Sequence, residues 1–356
     1  MHPANQISLK PHKEPATALF HSGLLWKEWR QHRFLFLLFF SLMTLELVFS
    51  LFCMPFLASM QQNHVNVSSS FPILAVKAIL QNGMSFTENI SMIAVVMLAV
   101  IMLGKDRAHS LKYLVSTAVS RRQIIAAKWL LGSLVILLAM SVLVSVMYII
   151  SAPDPQTVPV QLLLLWGLRM TLALLFLFGL ALLSACIFSA SLYAAVFTGF
   201  FLALPMLLIH IIVSPLAKYH VLSAQHANQV YQWSNVFNII SYVGADGVSG
   251  GSGAFIAGIS TFILLFLMIL CFLFSMRVFE HAPLERNGEI LLIGHSKEIG
   301  RLVLACLFAP LYAGDLSASW PWFFIYSLLL GAAIYLGLGL LWKLQFGLGL
   351  ARRAVR

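Results

Sequence analysis

The stretch QLLLLWGLRMTLALLFLFGLALLSACIF, residues 161–188, contains a single charged residue, Arg169, in an almost wholly apolar run. A bilayer core about 30 Å thick is crossed by roughly 20 apolar residues in an α-helix. Backbone groups in lipid must form their hydrogen bonds internally, so a run of this kind is expected to be helical. The segment is therefore predicted to be a transmembrane helix.

Similar runs occur on both sides of this segment. The predicted fold is an all-α polytopic membrane helix bundle of about eight spans, within a range of six to eight. The run that contains Pro310 is short, and a re-entrant segment is the alternative there. Ser189–Ala190–Ser191 separates two spans, which predicts a tight turn. The spans are predicted near residues 34–58, 85–104, 129–151, 161–188, 191–213, 254–275, 299–314 and 321–342.

The composition agrees with a membrane protein. Hydrophobic residues make up 60% of the 356 residues and charged residues only 10%, whereas soluble domains carry about 25% charged residues. The net charge of +10 would suggest a nucleic-acid partner in a soluble protein. Here the charges lie between apolar runs, and no basic groove interleaved with aromatic residues is visible, so no nucleic-acid partner is predicted.

The positions of the basic residues predict the orientation. All but three of the 22 Lys and Arg residues fall in alternate connecting segments, the exceptions being Lys77, Lys218 and Arg169. Basic loops face the cytoplasm, so both termini of a multi-pass cell-membrane protein are predicted to be cytoplasmic. The predicted parts are an N-terminus over 1–33, a transmembrane domain over 34–342 and a tail over 343–356. The domain includes cytoplasmic linkers at 105–128 and 276–298 and outer loops at 61–84 and 214–253.

The N-terminal segment HSGLLWKEWRQHR, residues 21–33, precedes the first predicted span. Trp favours the headgroup region of a bilayer, and basic side chains remain in water. The segment is predicted to be an amphipathic helix on the cytoplasmic surface; the alternative is a simple basic flank that anchors the first span. The residues assigned to this interfacial helix are Trp26, Lys27, Glu28, Trp29 and Arg30.

The linker GKDRAHSLKYLVSTAVSRRQIIAAKW, residues 104–129, joins the second and third predicted spans. Leu111, Leu114 and Val115 have the spacing of one helical face, which predicts a short amphipathic helix. Ser120 followed by Gln123 fits a capping box, so a new helix is predicted to begin there. The alternative is a solvated basic loop that follows the positive-inside rule.

This linker, together with WKEWRQHR, residues 26–33, resembles the corresponding parts of ABC-2-type permeases. The family signature has an acidic residue, a Gly–Thr-like pair, a Leu-rich turn, Pro–x–Ser–Arg and a Lys that enters the next helix. This sequence departs from it at two places, because His109–Ser110 replaces the small pair and Ala118–Val119 lacks the usual Pro. The similarity covers roughly residues 22–130. The residues that fit the signature are Asp106, Leu111, Leu114, Ser120, Arg121 and Lys128.

A second similarity lies in HAPLERNGEILLIG, residues 281–294. It is similar to a Pro–x–Glu–Arg–x–Gly–Glu turn in some permeases from exporter operons of Gram-positive bacteria. Glu285 and Glu289 would share an acidic face if this segment is helical. An ordinary turn before a helix is the alternative. The ATPase-coupling residues that the two resemblances imply are Asp106, Leu111, Leu114, Ser120, Arg121, Arg122, Lys128, Glu285 and Glu289.

The resemblance implies the permease subunit of an ATP-binding cassette transporter, with an exporter favoured. Such a subunit pairs with a separate ATPase subunit, which holds ATP and Mg, and with a second permease, identical or homologous. The sequence contains no GxxxxGK[ST] loop, so neither an enzymatic activity nor a bound cofactor is predicted for this chain. The alternatives are a secondary transporter driven by an ion gradient, or an assembly or sensory subunit that transports nothing.

Two charged residues lie well inside predicted spans, Glu46 near the middle of the first and Arg169 about a third of the way into the fourth. A charge at the bilayer centre costs at least about 2.5–3.5 kcal/mol. The two residues are predicted to pair or to line a polar path; the alternative is a Glu46 that is protonated or solvated without a role in transport. No metal site is predicted, because the four cysteines lie singly in apolar runs without the CxxC spacing of metal sites.

Overall fold

A computed structural model describes residues 22–53, 71–82, 88–109, 120–188, 190–218, 251–281 and 320–354, with short pieces in 220–230 and 305–313. Helix accounts for 93% of the structure, and the described residues contain no strand. The predicted all-α class is confirmed. The helices are α1 (Ser22–Val48), α2 (Phe71–Asn82), α3 (Glu88–His109), α4 (Arg121–Ser151), α5 (Val160–Ile187), α6 (Ser191–Lys218), α7 (Gly251–His281) and α8 (Trp320–Ala354).

Six helices in these ranges are long and apolar enough to cross a membrane: α1, α4, α5, α6, α7 and α8. The apolar part of α3, Ile90–Gly104, is shorter. Helix α1 continues into a π-helical turn, Phe49–Cys53, and the end of the predicted span 34–58 lies outside the described residues. The tight turn between two spans agrees with the short connection from Ile187 to Ser191.

Helix α5 is the centre of the bundle. It contacts α3, α4, α6 and α7, and 78% of its most apolar 18-residue stretch is buried. By contrast, 12% of the corresponding stretch of α6 and 6% of that of α8 are buried. Apolar side chains left exposed on outer helices are suited to lipid. The decrease in burial from α5 to the outer helices therefore agrees with a bundle in a bilayer.

Glycines allow close approach between the central helices, as is common in membrane bundles. A Cβ added to Gly132 of α4 would lie 2.1 Å from Cζ of Phe178 in α5, and one added to Gly167 of α5 would lie 2.6 Å from Cγ2 of Val144 in α4. The helices meet where these side chains are absent. The α4–α5 contact therefore depends on glycine at both positions.

Helix α2 lies within the segment 61–84, which was predicted to lie on the outer side of the membrane, and that location stays a prediction. Ala75, Val76, Ile79 and Leu80 of α2 are buried, and α2 contacts α4, α5 and the π-helical turn. With 12 residues, it is too short to appear in a search for runs of roughly 20 apolar residues. Its apolar residues recur one turn apart, which is the signal that identifies it.

The turn between α4 and α5 is ordered by Asp154 and Thr157. The Thr157 side chain and backbone N–H both donate hydrogen bonds to the Asp154 carboxylate. These bonds favour the ionised form and lower the pKa of Asp154. The turn lies at the end of the two helices opposite to Arg121 and Ile187, and it provides a polar connection outside the apolar spans.

The predicted span 299–314 is described only in part. Ala305, Ala309 and Ala313 are buried and helical, and their spacing of four places them on one helical face. A Cβ at Gly331 of α8 would lie 3.6 Å from the Cβ of Ala309. The described part of this segment therefore packs against α8; whether the whole segment crosses the membrane stays a prediction.

Candidate functional site at the basic end of the bundle

Helix α1 has two different faces in the segment predicted to be an interfacial helix. Trp26 and Trp29 are exposed, and the Arg30 guanidinium lies 5.2 Å from the Trp26 ring centroid, as expected for headgroup-level side chains. However, residues 22–33 do not form a separate helix, because α1 is continuous through Val48. Residues 22–33 therefore form the first part of the long helix α1, with one face joined to the bundle, and their predicted place at the cytoplasmic surface stays a prediction.

The buried face of this segment carries Leu24, Glu28 and His32, spaced four residues apart. Glu28 was assigned from the sequence to the interfacial helix, and no partner was predicted for it. Its side chain is instead fully buried and lies 2.7 Å from Nζ of Lys128, which is fully buried as well. This ion pair connects α1 to α4 across a sequence separation of 100 residues.

Lys128 also bonds to a third helix. Its ammonium donates a hydrogen bond of 2.8 Å to the main-chain carbonyl oxygen of Met102 in α3. A helical carbonyl oxygen has a second lone pair available for such a bond. One ammonium group therefore contacts α1 and α3 from its position on α4.

Two further basic groups surround the Glu28 carboxylate. Lys27 Nζ lies 3.3 Å from Oε1, and His32 Nε2 lies 3.4 Å from Oε2. Lys27 is partly exposed, whereas His32 is buried. We call Glu28, His32, Lys128 and the Met102 carbonyl the buried charge cluster. The opposite charges and hydrogen bonds within this cluster offset the free-energy cost of burying these ions.

The position of Lys128 changes its interpretation. The resemblance placed it among the residues that couple to an ATPase, but a fully buried ammonium that bonds to Glu28 and Met102 has no surface for a direct contact with another subunit. Direct contact with a partner is therefore excluded for Lys128 in this conformation. Its contacts are internal ones, between helices.

The predicted capping box is confirmed. The Gln123 N–H donates to the Ser120 side chain, and the Ser120 N–H donates to the Gln123 side chain at 2.9 Å. Helix α4 begins directly after Ser120, at Arg121. The third predicted span, near 129–151, is thus the continuation of a helix that starts earlier, with Ile124, Ile125, Ala126 and Ala127 already buried.

Arg121 and Arg122 connect the start of α4 to the end of α7. Arg122 Nη2 lies 2.7 Å and its Nε 2.9 Å from Oε2 of Glu280. Arg121 donates from Nη1 to the Glu280 main-chain oxygen at 3.1 Å. The Arg122 and Glu280 side chains are 54% and 36% exposed. Since Arg122 stays largely accessible, its predicted contact with a partner stays a prediction.

The other coupling residues are described less fully. The backbone of Asp106 belongs to α3, but its side chain, like Leu111, Leu114, Glu285 and Glu289, lies outside the described residues. The contacts predicted for these residues stay predictions. The buried charge cluster nevertheless places the end of α3 and the start of α4 beside the start of α1. We call the part of the predicted linker between α3 and α4, residues 110–119, the 110–119 linker.

Glu46 and Arg169 are both buried, at 1% and 4% exposure. Glu46 lies on α1 and Arg169 on α5, and both helices contact α3 and α4. Burial in the bundle agrees with the expectation that charged residues within spans face the interior. The predicted pairing of the two residues stays a prediction. Among the described residues, no group of His, Cys, Asp and Glu is arranged to hold a metal ion.

The six long apolar helices, with apolar side chains exposed on the outer ones, are those of a multi-pass α-helical membrane protein. The contacts of Lys128 and Glu280 bring together the starts of α1 and α4 and the ends of α3 and α7, which we call the basic end of the bundle. No family model, curated protein or solved structure matches the chain.

Proposed function

We propose that the chain is the permease subunit of an ATP-driven exporter in the cell membrane, with the basic end of the bundle and both termini facing the cytoplasm. A separate ATPase subunit, carrying ATP and Mg, would bind at the basic end, and a second permease subunit would complete the substrate path. The observation that carries the proposal is the capped start of α4. Ser120 and Arg121, which the resemblance matches to the family's Ser–Arg pair, are the N-cap and the first residue of this helix, and this position supports the proposal.

The geometry at the start of α4 supports the transmission of force from a partner to the membrane helices. Helix α4 runs without interruption from Arg121 to Ser151, about 1.5 Å per residue, so its length is enough to carry a displacement across a bilayer. Its first turn also contacts α7 through Glu280. A partner that moves the linker would therefore act on two helices. ATP must then favour one arrangement of the spans over the other, which is the thermodynamic condition for coupling.

The proposal predicts that the chain, purified from membranes of its native host in mild detergent, retains an ATPase. The double variant Arg121→Glu/Arg122→Glu is expected to lose most of the co-purified ATP hydrolysis, about tenfold or more, because two such contacts are each worth about 1 kcal/mol or more at an interface. The measurement is ATP hydrolysis per mole of purified chain.

Two control variants separate partner binding from internal contacts. Glu280→Ala removes the carboxylate that accepts from Arg122, leaves the main-chain oxygen that accepts from Arg121, and keeps both basic side chains. This variant is expected to retain the ATPase. Arg122→Glu with Glu280→Arg preserves an internal pair but reverses the charge on α4, and it is expected to lose part of the ATPase. Transport by the purified chain with an ion gradient and without ATP would contradict the proposal and favour a secondary transporter.

A further inference from the structure

We propose that Lys128 is a positioning residue that holds both flanks of the 110–119 linker and the start of α1 together as one mechanical unit. This role deepens the proposed function and rests on it, because it specifies which helices would move together when the linker is displaced. The inference comes from the contacts of one buried ammonium with two other helices, 2.7 Å to Glu28 and 2.8 Å to the Met102 carbonyl.

The two flanks of the linker meet at this ammonium. Met102 lies in α3, before the linker, and Lys128 lies in α4, after it. Their hydrogen bond joins positions 26 residues apart in sequence. A displacement of the linker therefore acts on α3 and α4 together, because the Lys128–Met102 hydrogen bond joins them. The Lys128–Glu28 ion pair joins α1 to these two helices.

Burial makes this connection persistent. Glu28 and Lys128 are each 0% exposed, so separating them would leave an ion without water to replace its partner. The Arg122–Glu280 contact at the same end is exposed, and exposed ion pairs are weak because water and salt compete with them. At the basic end, α1, α3 and α4 thus share a buried ionic contact, whereas the ion pair between α4 and α7 is exposed. Helices α4 and α7 are also joined by an apolar contact, since the rings of Trp129 and Phe272 lie 4.6 Å apart.

The consequence is that α1, α3 and α4 form one unit at the basic end and keep their mutual distances when the linker is displaced. Lys128 contributes to transport by maintaining the unit and touches no substrate or nucleotide.

Spin-label distances test the unit in the chain alone, without ATP or a partner. In a background with the four native cysteines replaced by alanine, one pair of labels is placed at Phe34 of α1 and Leu134 of α4, and a second pair at Met97 of α3 and Leu134. All three positions are exposed. The wild-type cluster should give one narrow distance distribution for each pair.

Lys128→Met is expected to broaden both distributions about twofold, because local contacts that hold two helices set the range of their relative motion. If this variant does not fold, Glu28→Gln/Lys128→Met, which leaves no uncompensated charge, takes its place with the same expectation. The matched control Glu280→Ala should change neither distribution. Narrow distributions in the folded Lys128 variant would overturn the proposal.

The charge exchange Glu28→Lys/Lys128→Glu examines the linker flanks separately. It restores an ion pair between α1 and α4, but a carboxylate at position 128 has no hydrogen to donate to the Met102 carbonyl. The α1–α4 distribution should narrow again, whereas the α3–α4 distribution should stay broad. Recovery of both would overturn the role of the Met102 contact. No ATPase takes part in these distance measurements. The role of Lys128 can therefore be refuted while ATPase binding is observed, and ATPase binding can be refuted while the role of Lys128 is supported.

Discussion

Replacement of Lys128 by methionine is expected to destabilise the protein by about 3–5 kcal/mol, the cost of removing one partner from a buried ion pair. The loss of the ammonium leaves the Glu28 carboxylate buried, with the partly exposed Lys27 and the buried His32 as its remaining neighbours. The measurement is chemical or thermal unfolding of the purified protein in detergent. A fall in folded yield is expected as well.

Two controls make the interpretation specific. Lys27→Met removes a Lys that also lies near Glu28 but is 32% exposed, and it is expected to cost no more than about 1 kcal/mol. Glu28→Gln/Lys128→Met removes both charges and should recover most of the lost stability, since an uncharged pair needs no ionic partner. Equal losses of unfolding free energy for Lys27→Met and Lys128→Met would show that the buried Lys128 stabilises the protein no more than the partly exposed Lys27.

Replacement of Gly132 by alanine is expected to have the second largest effect, a loss of about 1–3 kcal/mol from overpacking. The new Cβ would lie 2.1 Å from Phe178 Cζ, and the Phe178 ring is completely buried, so it has little room to move away. Unfolding of the purified protein measures this loss. Phe178→Leu in the same chain should restore part of it by making space for the methyl group.

Gly199 provides the matched control. It lies in α6, and a Cβ at this position meets nothing within 4 Å. Gly199→Ala is expected to leave stability unchanged or to raise it slightly, because alanine has the higher helix propensity. If Gly132→Ala were as harmless as Gly199→Ala, the close contact between α4 and α5 described above would be incorrect.

The sequence predicts the parts of this fold that depend on local pattern. Length and apolarity are enough to locate α4, α5, α6, α7 and α8, because a helix in lipid needs only a continuous apolar run. The start of α4 follows from the Ser120–Gln123 capping box, which is a contact between residues three apart. These features need no knowledge of the rest of the chain.

The buried charge cluster was not predicted, because it depends on packing between distant segments. Glu28 was assigned to the interfacial helix and Lys128 to the ATPase-coupling residues, and nothing local relates residues so far apart. A signal was nevertheless present in each segment. Lys128 follows the apolar run Ile124–Ala127, and Glu28 shares the spacing of Leu24 and His32 on one helical face. A charge on an apolar face requires a partner.

The most direct test of the proposed coupling to an ATPase is a measurement of the side of the membrane on which the linker lies. A membrane-impermeant thiol reagent is applied to intact cells that carry a single cysteine, either at Lys112 in the linker or at exposed Gln156 in the α4–α5 turn. We expect Gln156→Cys to be labelled in intact cells and Lys112→Cys only after the cells are made permeable. Labelling of Lys112→Cys from outside, with Gln156→Cys protected, would contradict a cytoplasmic linker and with it the proposed coupling to an ATPase.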